Sequence, residues 1–324
     1  MDRELIVLGT ASQAPTRERN HNGYLLRWGS DAVLVDAGEG TQRQMVYAGV
    51  KSSSISHICL THRHGDHTLG LPGVLQRMVL DQRRDPVTVI YPDEAERHVA
   101  ALLSVADVGD AVEVIRRPLP TSESSRVPMA TGSTIVAVPL DHRVPTLGYR
   151  IQDEDQQRLD ADGLRARGLS GPPVGELVRT GQVTVNGERV HLREVSVTRP
   201  GRSAAVVMDT KLCPGIAELV ADVDLAVVEA TYLQQDEELA EAYGHLTAEQ
   251  AARAAATAGA RRLVLTHFSQ RYPDLRCFAD EAAPHHPDVV IARDLDRVLV
   301  PTRADRQPGA DHEPAQPLVP SVDR

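Results

Sequence analysis

The stretch "SHICLTHRHGDHTLG" (residues 56–70) sets His62, His64, Asp66 and His67 within six positions, directly behind an apolar run. Side chains two residues apart point to different faces of a helix, and on a strand they share a face but stand roughly 6–7 Å apart, so His62 and His64 reach one ligand only where the chain turns. Gly65 permits such a turn. Asp66 and His67 then open a helical pattern, "DHTLGLPGVLQRMVL". So dense a polar cluster behind a buried strand is costly unless a cation repays it. The arrangement suggests two metal ions. Each wants about four ligands, so more must come from elsewhere in the chain.

Three further candidates stand where apolar runs end. "IVAVPLDHRVP" ends at His142, "AVVMDTK" at Asp209 and "LVLTHFS" at His267. The carboxyl ends of strands are where α/β proteins gather their sites. The same Val/Ile/Leu-rich strand signal recurs in "ELIVLG", "GYLLRW", "AVLVDAG", "VTVIYP", "LAVVEATY" and "DVVIARDLDRVLV". Helical patterns lie between several of these, at "GTQRQMVYAG", "DEAERHVAALLSVA" and "TAEQAARAAATAGA" (247–260). This alternation predicts a layered α/β fold of mixed strand order over residues 1–301. Residues 152–193 are polar and punctuated by Gly and Pro, which predicts an inserted arm with one short helix and a hairpin. Residues 302–324 carry little to bury and read as a disordered tail.

Composition narrows the function classes. The chain has 324 residues, 41% hydrophobic and 25% charged, with a net charge of −10. That balance alone argues against nucleic acid. It hides a local reversal, because residues 163–202 hold seven arginines against three glutamates. No run is long and apolar enough for a membrane span, and "MDRELIVLGT" lacks the features of a signal peptide. Cys59, Cys213 and Cys277 are odd in number and widely spaced, as reduced thiols in a cytoplasm would be.

The H-x-H-x-D-H motif, the later His142, Asp209 and His267, and "LVDAGEGTQRQ" resemble the metallo-β-lactamase fold superfamily. More narrowly, the chain resembles the ribonuclease Z family of transfer-RNA 3′-processing endonucleases. "PTRERN" (15–20) is similar to that family's P-x-K-x-R-N loop, with Arg17 for lysine. "VEATY" (228–232) is similar to its H-E-A-T segment, "GHLTAEQAA" (244–252) to its H-S-T loop, and "LSGPPVGELVRTG" to its Gly-Pro-containing arm. Two departures are visible: Met208 stands where the family usually has glycine, and Val228 where it has histidine.

The resemblance implies a four-layer αβ/βα sandwich with a flexible inserted arm. It implies one zinc on His62, His64, His142 and Asp209, and another on Asp66, His67, Asp209 and His267, with Mn2+ or Fe2+ as other options. Asp36 becomes a residue that steadies the histidine loop. Asp66 doubles as acceptor of the attacking water's proton, and His245, oriented by Glu229, becomes the donor to the leaving oxygen. The implied reaction removes the 3′ trailer of precursor tRNA after the discriminator nucleotide, in a homodimer whose arms capture the substrate. Arg165, Arg167 and Arg179 on the arm and Arg17 and Arg19 in the first loop are the expected phosphate contacts. The remaining histidines, including His98 and His286, read as surface or packing residues. Two other readings compete: a hydrolase of the same fold acting on a small ester, lactam or cyclic nucleotide, and a catalytically silent RNA-binding paralogue.

Overall fold

The computed structural model describes residues 3–302; the expected tail at 303–324 lies outside them. Chain contacts divide the described residues into two units, 3–153 with 202–302, and 154–201.

The larger unit is built on two seven-stranded sheets. The first runs Arg297–Leu299, Glu4–Gly9, Gly23–Trp28, Asp31–Val35, Ile55–Cys59, Val87–Pro92, Val114–Leu119. The second runs Val289–Ile291, Leu263–Thr266, Leu225–Glu229, Ser203–Val207, Thr146–Gln152, Thr134–Leu140, Ser125–Pro128. Each sheet is antiparallel in one half and parallel in the other. Parallel neighbours need long crossovers, and these carry the helices that cover the outer faces. One apolar layer, including Tyr24, Val33, Tyr149, Val206 and Met208, fills the space between the sheets. A second packs helices Thr41–Tyr47, Leu71–Leu80 and Glu96–Ala106 on the first sheet. A third packs helices Pro214–Val220, Ala248–Thr257 and Arg276–Ala282 on the second. The chain therefore has the four-layer metallo-β-lactamase architecture.

Local chemistry explains the boundaries. The last of these layers begins cleanly because Thr247 caps helix Ala248–Thr257 in a full capping box with Gln250. The helical pattern behind Asp66 is broken into Gly65–Thr68 and Leu71–Leu80. Pro72 is tolerated in the first turn of the second piece. A Cβ on Gly70 would stand 2.0 Å from the carbonyl oxygen of Gly38, so only glycine lets these two loops approach.

Three sequence expectations change. "TLGYRIQ" is a central strand that the apolar pattern does not announce. Gly148 leaves room for Leu219, whose Cδ1 would lie 2.3 Å from a Cβ there, and Arg150 faces outward to donate to the carbonyls of Leu219 and Ala221. "DVVIARDLDRVLV" is two strands, not one, because the chain leaves the second sheet after Ile291 and joins the first at Arg297, turning through Leu295 at φ 72°. The arm has more structure than expected. It holds two helices, Ala161–Ala166 and Pro172–Thr180, a hairpin of Gln182–Val185 with Glu188–His191, and a strand pair of Gln156–Leu159 with Ser196–Arg199. Leu169, Leu177, Val183, Val190 and Val195 give it a small core of its own.

Direct ties join the sheets where the histidine loop leaves the first of them. Tyr149 Oη donates to the carbonyl of Leu60 at 2.7 Å, and the Leu147 amide donates to the carbonyl of Thr61 at 2.9 Å. Replacing Tyr149 by Phe keeps the ring but orphans the buried Leu60 carbonyl. The expected cost is about 1–2 kcal/mol, read from the denaturant midpoint; an unchanged midpoint would show that this tie carries no stability.

Candidate metal centre

Apart from His245, which follows helix Glu237–Tyr243, each site residue sits at the carboxyl end of a strand. Asp36 follows Asp31–Val35, and the His62–His67 segment follows Ile55–Cys59. In the second sheet His142, Asp209, Glu229 and His267 do the same. Thr134–Leu140 and Ser203–Val207 are both antiparallel to Thr146–Gln152 and so point the same way. Three of these residues leave their strands in the left-handed region: Asp36 at φ 58°, Asp209 at φ 40° and His267 at φ 63°. That conformation is costly for a side chain larger than glycine and persists only where the surroundings enforce it.

The side chains converge on two overlapping groups. His62, His64, His142 and Asp209 bring one ligand atom each within 4.8 Å of one another, and so do Asp66, His67 and His267; Asp209, His245 and His267 meet the same distance, so His245 adjoins the second group. Asp209 serves both. Its Oδ2 lies 3.7 Å from His62 Nε2 and 3.8 Å from His142 Nε2, while its Oδ1 lies 3.4 Å from His67 Nε2 and 3.0 Å from His267 Nε2. Asp66 Oδ2 lies 3.3 Å from His67 Nε2 and 3.8 Å from His267 Nε2. Ligand atoms bound to one tetrahedral ion stand roughly 3.3–3.6 Å apart, which these spacings bracket.

The outer hydrogen bonds determine which nitrogen of each ring faces inward. Asp36 accepts from the Thr61 amide (2.8 Å), the Thr61 hydroxyl (2.9 Å) and His67 Nδ1 (2.7 Å). The Thr61 hydroxyl, donating to Asp36, accepts from His62 Nδ1 at 3.0 Å. His142 Nδ1 donates to the Gly244 carbonyl at 2.8 Å. The Thr231 hydroxyl donates to Glu229 at 2.6 Å and accepts from His267 Nδ1 at 2.7 Å. Nε2 of His62, His67, His142 and His267 is thereby turned toward the centre, the arrangement that metal-ligating histidines use. His64 instead offers Nδ1, which lies 2.9 Å from His62 Nε2.

The electrostatics fit a cation. His142 Nε2, His267 Nε2 and Asp209 Oδ1 are buried without a hydrogen-bond partner, a cost proteins seldom leave uncompensated. Burial holds His62, His64 and His142 below the usual histidine range, in the neutral form that ligates. Burial would lower His267 as well, but the Asp209 and Asp66 carboxylates that face it push it up to about 10. Burial likewise opposes ionisation of Asp209, and the charges of His267, His67 and His245 outweigh it, so the carboxylate stays ionised well below its usual range. Burial also opposes a charge on His67, but the carboxylates of Asp209, Asp66 and Asp36 push it well up, so positive charge is favoured where His67 and His267 face Asp209 and Asp66. Imidazoles and carboxylates so gathered are a donor set for zinc and other borderline divalent metals, whose charge would take the place of those protons.

Beside the two groups stands His245, 11% exposed, whose Nδ1 donates to Glu229 Oε1 at 3.0 Å. Glu229 is fully buried and also accepts from the amides of Thr210 and Thr231. The orientation of His245 is therefore fixed from behind.

Comparisons with known proteins agree with this geometry. Residues 3–105 match the family model of the anti-Pycsar protein Apyc1, and residues 190–268 match the beta-lactamase superfamily domain. Ribonuclease Z of Nocardia farcinica is 52% identical over 302 residues, covering 93% of this chain and 99% of that one. Ribonuclease Z of Salinispora arenicola is 48% identical, covering 93% and 97%. The chain belongs to the ribonuclease Z family. The solved short form of human tRNase Z shares the fold, with a TM-score of 0.68 at 24% identity, covering 92% of this chain and 99% of that one.

Within this ribonuclease Z family member the other expected residues separate. Arg17 is exposed, as a phosphate contact should be. Arg19 is not: it is 8% exposed and spends its guanidinium on the carbonyls of Tyr272 (3.1 Å) and Ser269 (3.2 Å), so it braces the first loop rather than offering a charge to substrate. In the arm unit, Arg165 pairs with Asp162 and Arg167 with Glu194, both exposed, and Arg179 is exposed on helix Pro172–Thr180. Met208 and Val228 are buried in apolar layers, Met208 between the sheets and Val228 against the helices. His286 is a packing residue bonded to the Ala260 carbonyl, whereas His98 contacts Thr68 of the histidine loop at 2.9 Å. Thr61, Thr231 and the Gly244 carbonyl were not legible as site groups. Their one signal is position: Thr61 adjoins His62, Gly244 adjoins His245, and Thr231 lies two residues beyond Glu229.

Thr231 yields a test. Thr231→Val removes the hydroxyl that orients His267 while preserving shape. Metal retention against a chromogenic chelator is expected to fall about 10- to 100-fold. Wild-type retention would mean that the hydroxyl does not position the ring.

Proposed function

We propose that the chain is a metal-dependent endoribonuclease that removes the 3′ trailer from precursor tRNA after the discriminator nucleotide, leaving a tRNA 3′-hydroxyl. The observation that carries this reading is Asp209 presenting one oxygen to each of two histidine groups, in a chain of the ribonuclease Z family. Two divalent cations, zinc in our reading, would be held by His62, His64, His142 and Asp209 and by Asp66, His67, His267 and Asp209, and would supply Lewis acidity and a nucleophile at neutral pH.

The chain's own residues handle the protons. Asp66, ionised and partly shielded at the mouth, takes the proton of the attacking water as its oxygen bonds to phosphorus. The phosphorus–O3′ bond breaks, and His245 Nε2 delivers a proton to the departing 3′-oxygen. The delivering form is the imidazolium: Glu229 accepts its Nδ1 proton and orients the ring, the Nε2 proton goes to the 3′-oxygen, and His245 is left neutral with its proton on Nδ1. Arg17 and the arm's Arg165, Arg167 and Arg179 bind phosphates. The ion pairs of Arg165 and Arg167 are exposed and weak, so RNA phosphates can displace their carboxylates.

A homodimer is supported by apolar side chains left on the helices outside the first sheet: Val46, Tyr47 and Leu80 are 57%, 56% and 72% exposed. Among the described residues no helix is long and apolar enough to cross a membrane. The three unbridged cysteines suit a reducing cytoplasm.

The protein incubated with a 3′-extended precursor tRNA should cut once, after the discriminator, and chelator should abolish the cut. A product ending elsewhere, or full activity in chelator, would overturn the assignment. Asp66→Asn and His245→Ala should each lower single-turnover cleavage roughly 10²- to 10⁴-fold, the latter also removing the basic limb of the pH profile. Replacing residues 154–201 by a short Gly/Ser linker should raise KM for precursor tRNA at least tenfold. Precursor cleavage undiminished by that replacement would favour the small-substrate hydrolase.

A further inference from the structure

Aromatic side chains are scarce in this chain: two Phe, one Trp and seven Tyr. Trp28, Tyr24, Tyr91, Tyr149, Phe268 and Phe278 are fully buried, and Tyr272 is 7% exposed. Only Tyr47, Tyr232 and Tyr243 keep substantial surface, and two of these three flank His245. The Tyr232 ring lies 6.1 Å from the His245 ring, centroid to centroid. Tyr243 ends helix Glu237–Tyr243 and is 46% exposed. The next residue, Gly244, turns back at φ 78°, and its carbonyl accepts from His142 Nδ1. A Cβ there would stand 2.8 Å from that nitrogen, so the backbone beside Tyr243 is seated directly on a ligand ring. Arg143 places its guanidinium carbon 5.6 Å from the Tyr243 ring centroid, a cation–π contact that steadies the ring. The two tyrosine segments are tied together by the Tyr232 amide on the Leu246 carbonyl (3.2 Å) and the Ala248 amide on the Tyr232 carbonyl (3.0 Å).

We propose that Tyr232 and Tyr243 form a stacking seat for the unpaired base on the tRNA side of the scissile phosphate. The inference rests on the nuclease reading above and extends it to a base-binding residue pair. His245 protonates the 3′-oxygen of one nucleotide, and the base on that same ribose is the one brought beside His245. An exposed tyrosine held by an arginine, as Tyr243 is, and a half-buried one such as Tyr232 offer the π-surface that stacks nucleobases without selecting among them, since every base has a π-face. Tyr232 is partly buried against the aliphatic layer outside the second sheet, whereas Tyr243 is exposed.

The test uses two precursors, one intact and one with an abasic ribose at the discriminator. Wild-type kcat/KM should fall roughly 5- to 150-fold on the abasic precursor, mainly through KM. Tyr243→Ala and Tyr232→Ala should each lose part of that amount on the intact precursor and be less sensitive than wild type to removal of the base. Tyr243→Phe should behave as wild type. Equal cleavage of both precursors by wild type, or a full abasic penalty in both alanine variants, would overturn the stacking seat. Failure of wild type to cut the intact precursor would overturn the nuclease reading and the seat with it.

Discussion

The site depends on one buried carboxylate. Asp209 is 3% exposed, emerges from its strand in a left-handed conformation, and divides its two oxygens between two sets of imidazoles. An ionised carboxylate out of water is costly unless surrounded by compensating charge. Here the compensation comes from both halves of the sandwich. His62 and His67 are delivered by the first sheet, and His142 and His267 by the second. The same electrostatics that keep Asp209 ionised therefore draw the two sheets' loops together, and a cation in either group would tighten that closure. Ligation and folding of this edge are coupled for that reason.

Around the ligands lies a set of residues whose task is orientation. Asp36 and Thr61 fix His62 and His67, Glu229 and Thr231 fix His245 and His267, and the Gly244 carbonyl fixes His142. Each uses up the outward nitrogen of an imidazole, which leaves the other nitrogen's lone pair or proton aimed at the centre. Two glycines make the approach possible. A Cβ at Gly38 would stand 2.2 Å from the Asp66 carbonyl and one at Gly70 would stand 2.0 Å from the Gly38 carbonyl, so the loop after Asp36 and the loop after His62 could not otherwise touch. Rigid placement of this kind is how binding energy becomes positioning of reacting groups.

The residues that converge at the centre were legible because of contrast. A lone Asp or His behind four or more buried aliphatics is conspicuous, and strand ends are where such residues gather. The two seven-stranded sheets were legible only in part, since a strand that gives up apolar side chains for its neighbours leaves no pattern. "TLGYRIQ" is such a case: Gly148 yields its space to Leu219, and Arg150 reaches out to helix carbonyls. Continuity misled at "DVVIARDLDRVLV", where an unbroken apolar rhythm conceals a crossing between sheets. Charge misled at Arg19. A guanidinium in a motif similar to a substrate loop is indistinguishable, in sequence, from one that ties that loop to the carbonyls of Ser269 and Tyr272. Thr231 and Gly244 escaped for the opposite reason: a hydroxyl and a main-chain carbonyl carry no signature until a third segment is folded against them.

A net charge of −10 is compatible with a polyanionic substrate because the charges do not act as a sum. In physiological salt, fields between exposed groups fade over about 8 Å, so RNA meets local patches rather than the average. The acidic residues at the centre face imidazoles and are spent there. The arm concentrates arginine on exposed surface, where carboxylate partners at Asp162 and Glu194 are held only weakly. Beside His245, the proposed stacking seat would add π-surface to charge, on one exposed and one half-buried tyrosine. Phosphate contacts of the first kind locate a tRNA without reading it, and stacking of the second kind seats a base without naming it. A trailer-removing enzyme must accept many tRNAs that differ in sequence but share a shape, and an interface composed of these two kinds of contact is sequence-tolerant by construction.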